Sequence, residues 1–387
     1  MSLSTPSPNG KWYHGSTVPF AEPAWSRGSP SPYLKDSHRR LRDAMRTWVE
    51  THVIPFASEW EEKQTLPKEI YQQAAADGVL MPMAAGKSIS SELAGSFQIM
   101  GGVKPEEWDG FHDFIIHDEL NRVGGIGVPN GLIGGVTLYM PAILKFGSSN
   151  LKKRVAKEVL SGQKRLALAI TEPDAGSDVQ SLATRAVLTP DGKHYKVNGQ
   201  KKWITGGMYA DYFLTLTRTS KTAMTMLLIP RIEGVETRHM KMSGSGSAGT
   251  AFLDFDDVLV PVGNVVGEVG AGLKSIISNF NHESLIFQHA SLSPEDADLL
   301  LAGQIAQLKA HSGIVLQNVV RDAVQILGGI GLTRGGRGER VERLWRDVKA
   351  ITVPGGSEEI MLELSVKRAL RVQTTLEGKS DVGKSKI

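Results

Sequence analysis

Two short runs carry the residue types from which a cofactor pocket could be built. They are Ala169-Ile170-Thr171-Glu172-Pro173-Asp174-Ala175-Gly176-Ser177-Asp178 and Trp203-Ile204-Thr205. In the first, an apolar strand from Leu166 to Ile170 breaks at Thr171, and Pro173 ends regular pairing because it has no amide proton. Gly176 lets the main chain approach a ligand closely, and Ser177 and Asp178 add a hydroxyl and a possible cap. Such a loop offers amides and a hydroxyl to an anion, and a pyrophosphate suits it. In the second run an indole plane and a hydroxyl suit a flat ring system that accepts hydrogen bonds. Each residue also has an ordinary reading, Trp203 as core packing and Thr171 as a strand end.

The elements that must bring the runs together are strands. Thr184 to Leu188 runs into a turn at Pro190-Asp191-Gly192 and returns through Tyr195 to Val197. A second turn is expected at Asn198-Gly199, a dipeptide suited to positive φ, before Lys201 to Thr205. Two turns of this kind bring Trp203 and Thr205 back beside Thr171.

Taken jointly, the block Thr171 to Asp178, followed by Asn198-Gly199-Gln200-Lys201-Lys202-Trp203-Ile204-Thr205-Gly206-Gly207, resembles the acyl-CoA dehydrogenase family. The similarity runs from about Ser37 to Leu370, with Gly328 to Arg334 and Arg346-Asp347-Val348 as supporting runs. The resemblance implies an α+β fold: a helical N-terminal domain, a middle antiparallel β-domain and a C-terminal helical bundle. It implies FAD as cofactor, an acyl thioester of coenzyme A as substrate and an electron-transfer flavoprotein as electron acceptor. An acyl-CoA oxidase is a close variant. Ile170, Thr171, Gly176, Ser177, Trp203, Ile204 and Thr205 are then the flavin wall, with Ser177 also facing substrate.

In this family a glutamate removes the α-proton of the thioester while a hydride leaves the β-carbon. Many members carry that glutamate just before the last long helix. Here the matching run is Pro354-Gly355-Gly356-Ser357, so the usual base is absent and Gly355 stands in its place. Gly355 could still offer its amide to the thioester carbonyl, and Ser357 belongs to the flavin-facing helix start. A second group within the family carries the glutamate on the helix after the β-domain, where Asn281-His282-Glu283 makes Glu283 the candidate base. A surface carboxylate beside His282 is the alternative reading. The Gln325-x-x-Gly328-Gly329 pattern resembles the part that meets the FAD adenine end of a neighbouring subunit, so the resemblance implies a homodimer or homotetramer. A helix C-cap is its ordinary reading.

After Glu283 the sequence departs from the family pattern. Ser284 and Leu285 follow it, and by Ser293 a later helix is already beginning, so a stretch the size of a helical hairpin is missing. That leaves apolar faces uncovered at a cost on the order of 25 cal/mol per Å² exposed. It also removes an Arg loop that resembles a contact to the FAD phosphates. A defective or non-catalytic member is the competing expectation.

Composition sets the outer bounds. The chain has 387 residues, which points to two or three domains. With no cysteine, disulfides, thiolate metal sites and a Cys nucleophile are excluded. A net charge of +3 is too small to suggest a polyanion-binding surface. No apolar run is expected to approach a membrane span.

Along the chain, residues 1–35 read as an irregular Ser-, Pro- and Gly-rich arm without a signal or transit pattern. Residues 36–164 form a helical domain in which Leu41, Met45, Trp48 and Val49 share a face, and Gly124 to Gly135 reads as a Gly-rich connection. The β-domain occupies residues 165–262, including a small-residue loop from Ser243 to Gly249. The C-terminal helices fill residues 263–375, with a flexible tail at 376–387. His112, Asp113 and His117 make a poor metal set, since five-residue spacing does not share a helix face, and no metal is expected. Glu119 reads as a solvated or capping carboxylate. Arg334, Arg337, Arg340, Arg343 and Arg346 alternate with acids at helical spacing, which favours intramolecular pairs over nucleic acid. Ser385-Lys386-Ile387 is similar to a peroxisomal address, with the cytosol or the mitochondrion as the alternative locations.

Overall fold

The computed structural model describes residues 22–27, 29–85, 98–273 and 294–384. Most of the expected N-terminal arm, residues 86–97, the helix expected to carry Glu283 and the terminal Ser385-Lys386-Ile387 lie outside the described residues.

The N-terminal part is helical: α1 (Asp36–His52), α2 (Ala57–Glu62), α3 (Lys68–Ala76), α4 (Leu80–Ala85), α5 (Gly110–Asn121), α6 (Gly127–Gly134), α7 (Met140–Phe146) and α8 (Ser149–Leu160). Apolar residues three and four apart, Leu41, Met45, Trp48 and Val49 on α1, are buried together. Glu119 is fully buried on α5, where Arg46 Nη2 donates to it at 2.8 Å. It is therefore neither solvated nor a cap; it compensates an arginine taken into the core with it.

The stretch expected to be a Gly-rich connection is α6, followed by a π-helical turn, Gly135–Tyr139. Its glycines serve close packing. A Cβ on Gly127 would sit 2.4 Å from Ser247 Oγ, and one on Gly135 would sit 2.5 Å from the carbonyl oxygen of Leu166. The same run corrects the expectation about membrane spans, because Gly127–Phe146 is 20 residues long and apolar enough to cross one. Two thirds of it is buried inside the protein, the setting of a core helix.

The middle part is one eight-stranded sheet: β1 (Leu166–Ala169), β2 (Arg185–Leu188), β3 (His194–Ile204), β4 (Tyr212–Arg218), β5 (Met224–Pro230), β6 (Val235–His239), β7 (Ala251–Pro261) and β8 (Val265–Val266). The order is β6-β7-β3-β2-β4-β5-β8, with β1 beside β4. Most pairs are antiparallel as expected, but β1 runs parallel to β4 and β2 meets β4 in parallel at one position. The β2–β3 hairpin forms as read. Asn198-Gly199 is not a turn; β3 continues through it with a bulge against β7, and the Asn198 amide bonds to Asp257 at 2.9 Å by both its ends.

Beyond the sheet come α9 (Pro294–Leu327), α10 (Glu339–Thr352) and α11 (Glu358–Lys384). Pro294 opens α9, a position where a missing amide proton costs nothing, and Gly328 at φ +58 closes it. The loop at Ser243 to Gly249 is not open: residues 244–250 are buried. The Glu61 carboxylate accepts from the amides of Gly246 (2.6 Å) and Ser247 (3.0 Å), and Asp347 on α10 accepts from Ser245 (2.6 Å) and Ile126 (2.8 Å). Two buried carboxylates thus satisfy a buried loop's amides and tie α10 to α2, α6 and the sheet.

Candidate flavin wall and its supports

The two runs meet at one end of the sheet. The Lys202 amide donates to the carbonyl of Thr171 at 2.8 Å, which joins the loop after β1 to the last turn of β3. Beneath this contact lies a buried ion pair. Lys201 Nζ is 2.8 Å from Glu172 Oε1 and also donates to the carbonyls of Ile170 (2.9 Å) and Leu216 (2.8 Å). Glu172 in turn accepts from the amides of Ala183 (2.5 Å) and Thr184 (3.0 Å). Every polar atom of the pair has a partner, the condition under which a buried pair is tolerated. Burial pulls the Lys201 ammonium down to about 8, against the pull of Glu172, so it is still charged at neutral pH. Burial pushes the Glu172 carboxyl up, but Lys201 and the two amides outweigh it and hold the carboxyl below its usual range.

A second bulge sets the direction of the indole. Lys201 pairs with Leu253 and Ile204 with Ala251, so β3 carries one residue more than β7 between those pairs. Strict alternation would turn Trp203 to the same buried face as Lys201. The extra residue instead places Trp203 at φ +58 and leaves its side chain 44% exposed, with Lys202 Nζ 4.4 Å from the ring centroid. A left-handed tryptophan is strained, and strain of this kind collects at functional sites. Ile204 is buried behind it. Thr205 follows, half-buried, and the next amide, of Gly206, donates to Ala248 of the loop that Glu61 and Asp347 hold. Thr205 also lines a cleft with Tyr71, Asn130, Gly131, Arg165 and Tyr209, between the sheet and α6.

Of the expected wall, Ile170, Thr171, Trp203, Ile204 and Thr205 are therefore brought together. Gly176 and Ser177 lie in the exposed continuation of the same loop, and a Cβ on Gly176 would meet nothing within 4 Å. An exposed indole, two hydroxyls and an open small-residue loop at one sheet end fit a flat ring with a phosphate tail.

The C-terminal candidates fall into two groups. Gly355 (φ +70) lies in an exposed turn whose carbonyls at Thr352 (3.2 Å), Pro354 (2.9 Å) and Gly356 receive hydrogen bonds from Lys309 of α9. Ser357 heads α11, its carbonyl accepting from Met361 at 2.9 Å. Gln325, Gly328 and Gly329 are exposed at the far end of α9. Sixteen residues separate Gln325 from Lys309, about 24 Å at the helical rise of 1.5 Å. The two groups therefore cannot serve one end of the same ligand on one chain.

Glu172 and Lys201 carry the site's geometry, yet neither was singled out in the sequence. The signal was present: Tyr195, Val197 and Lys201 share one strand face, so a lysine sits in an apolar row and needs an acid partner. The metal reading of His112 also changes. His112 groups with His38 and Asp109, all buried, with ligand atoms within 4.8 Å of one another, and not with Asp113 and His117. Each imidazole accepts a backbone amide through Nδ1, His38 from Lys35 (2.8 Å) and His112 from Asp109 (3.0 Å). These are helix caps at the starts of α1 and α5.

Comparison with known proteins identifies the architecture. Residues 35–163, 167–258 and 270–370 match the N-terminal, middle and C-terminal domains of acyl-CoA dehydrogenases, respectively. The acyl-CoA dehydrogenase apdG of Emericella nidulans is 34% identical, over 96% of this chain and 99% of its own length. An acyl-CoA dehydrogenase of Alternaria alternata is 32% identical, over 92% and 96%. Among solved structures, an acyl-CoA dehydrogenase from Geobacillus kaustophilus superposes with TM-score 0.75 at 22% identity, over 88% of this chain and 100% of that one. One from Bacillus anthracis, in complex with FAD, gives 0.72 at 21%, over 90% and 69%. The Emericella alignment extends over 437 positions against 387 in this chain, so that relative carries at least 50 (437 less 387) with no counterpart here. By its three domains and its relatives, the chain belongs to the acyl-CoA dehydrogenase family.

Proposed function

We propose that the protein is an FAD-dependent acyl-CoA dehydrogenase that converts an acyl thioester of coenzyme A to its trans-2-enoyl product and passes the electrons to an electron-transfer flavoprotein. The observation that carries this reading is the convergence of Thr171, Trp203 and Thr205 at one sheet end, pinned by the Glu172–Lys201 pair. When bound, FAD supplies the acceptor for the hydride that leaves the β-carbon. Ile170, Thr171, Trp203, Ile204, Thr205 and Ser357 would hold its ring, while Gly176 and Ser177 would hold its phosphates, with Ser177 reaching substrate as well.

The chain's own part is proton removal and charge stabilisation. Glu283 takes the α-proton, and the Gly355 amide donates to the thioester carbonyl as negative charge develops there. Gln325, Gly328 and Gly329 serve the adenine end of a neighbouring subunit, within a homodimer or homotetramer.

A second reading is favoured by one observation, the deficit of at least 50 positions against the Emericella relative. A shortened bundle would hold FAD weakly and leave a non-catalytic family member. The visible spectrum of the purified chain decides between them. Flavin bands, or their recovery on adding FAD, support the dehydrogenase; a colourless protein that stays colourless supports the second reading. In a flavin-loaded protein, Glu283→Gln should abolish bleaching by acyl-CoA while keeping the colour, and unchanged bleaching would reject the base.

A further inference from the structure

A buried arginine stands at the head of β1 without an acid to balance it. Arg165 is 8% exposed, and its guanidinium lies against the rings of Tyr71 and Tyr209, 4.8 and 5.0 Å from their centroids. Nη2 donates to the carbonyl of Pro67 (2.8 Å) and Nη1 to that of Leu66 (3.4 Å). Nε is buried and has no hydrogen-bond partner among the described residues. The side chain makes no ion pair among them either; Asp211 takes the backbone amide of Arg165 at 2.8 Å and not its guanidinium. Arginine keeps its charge in such a setting, and a buried charge is costly unless it is paired. Other buried cations of this chain show what is missing. Arg46 has Glu22 and Glu119, and Lys201 has Glu172. Arg343, which likewise lacks an acid among the described residues, donates from all three nitrogens, to Gly124 (3.3 Å), Ser58 (2.9 Å) and Val123 (3.0 Å).

Arg165 borders the cleft between the sheet and α6, and that cleft is rich in donors. Asn130 of α6 lines it half-buried, and its side-chain amide has no hydrogen-bond partner among the described residues. The two tyrosine hydroxyls are committed elsewhere, Tyr71 donating to the carbonyl of Val159 (3.3 Å) and Tyr209 to that of Ser247 (3.1 Å). No acidic side chain lines the cleft. It has room for about one body the size of a water molecule or a small ion.

We propose that this cleft binds one small inorganic anion, a halide, held by Arg165 Nε and the Asn130 side-chain amide. Charge selects an anion over a neutral water, because the guanidinium is the only formal charge on the walls and carries no counter-charge of its own. Size selects a halide over phosphate, sulfate or the carboxylate of an organic acid, none of which fits a space for one water-sized body. The ion satisfies the orphaned Nε and offsets the buried charge at once. It also ties together four pieces of chain that meet at the cleft: the start of α3, the head of β1, α6, and Thr205 at the end of β3. The site is formed by the chain alone and does not depend on bound FAD.

Bromide tests the position and chloride the energetics. In crystals of the full, unmodified chain grown in sodium bromide, an anomalous peak is expected within hydrogen-bond reach of Arg165 Nε and the Asn130 amide. A water at that place, with no bromide, would overturn the proposal. In solution, melting of the full chain is compared in sodium chloride and in sodium gluconate at equal ionic strength, gluconate being too large to enter. The unmodified chain should melt higher in chloride, by a margin that grows with the logarithm of chloride concentration once the site fills. Asn130→Asp keeps the shape of the side chain and places a carboxylate beside Arg165, so the chain then carries its own anion. That variant should melt higher than the unmodified chain in gluconate, and its chloride margin should fall at least threefold. Unchanged far-UV circular dichroism verifies its fold. An equal margin in both chains would show chloride acting on the general surface and would overturn the proposal, as would the lack of any margin in the unmodified chain.

Discussion

Lys201 and Glu172 show at the scale of single residues how a buried charge can be structural and still set a functional wall. Glu172 follows β1, accepts from two amides beyond the loop and anchors the lysine that bonds the Ile170 carbonyl. Removing one partner leaves an uncompensated buried charge, which typically costs about 3–5 kcal/mol. Lys201→Met should therefore lower the melting temperature sharply. The double change Lys201→Met with Glu172→Gln should recover part of the loss, and a calorimetric double-mutant cycle measures it; additivity of the two changes would sink the pairing argument. The acid limb follows from sign. Glu172 has a folded value below its unfolded one, so its contribution is present above the unfolded carboxylate range and disappears as pH falls through the folded value.

Between elements, the contact that decides the site is the one among α2, α10, α6 and the 244–249 loop. Burial, helped by Glu61, pushes the Asp347 carboxyl up to about 6. An unfolded aspartate titrates near about 3.9, so between about pH 4 and 6 the folded chain holds the extra proton. Stability contributed by this group accordingly falls as pH rises from about 4 to 6. The difference in unfolding free energy between the unmodified chain and Asp347→Asn should slope downward over that interval; a flat difference would show that Asp347 titrates normally. Gly244 faces the same carboxylate, and a Cβ there would come 2.2 Å from Asp347 Oδ1 and 2.7 Å from the Arg346 carbonyl oxygen. Gly244→Ala should destabilise by about 1–3 kcal/mol, as overpacking does, and chemical denaturation measures it.

Across the whole molecule, stability is distributed unevenly. β3 and β7 pair along eight positions with buried residues on the inner face, whereas the outer sides of α9 and α11 present Leu308, Val319, Val366 and Leu370 to solvent. Hydrogen exchange should find the β3 and β7 amides the slowest in the chain and those of α11 much faster, because few buried apolar contacts hold α11 down. Equal protection of the two regions would mean the C-terminal helices are covered by more than their own chain.

What the sequence determined by itself was whatever depends on local chemistry. A period-3.6 row gave α1, the helix start by Ser293 and the C-cap at Gly328-Gly329 marked the ends of α9, and the β2–β3 hairpin followed from Pro190-Asp191-Gly192. The two runs that meet at the sheet end were legible because their composition is itself the signal. Only the tertiary structure decided what depends on partners distant in the chain. Asn198-Gly199 stays within a strand because β7 pairs beside it and carries the extra residue of the bulge, and Gly127 and Gly131 are packed against Ser247 with no room for a side chain. Glu119 is a core residue because Arg46 is buried beside it. Glu172 and Lys201, 29 residues apart, acquire their meaning only when β4 supplies the third partner, the Leu216 carbonyl. A charge buried by folding is read from its surroundings, and those surroundings are assembled by the fold.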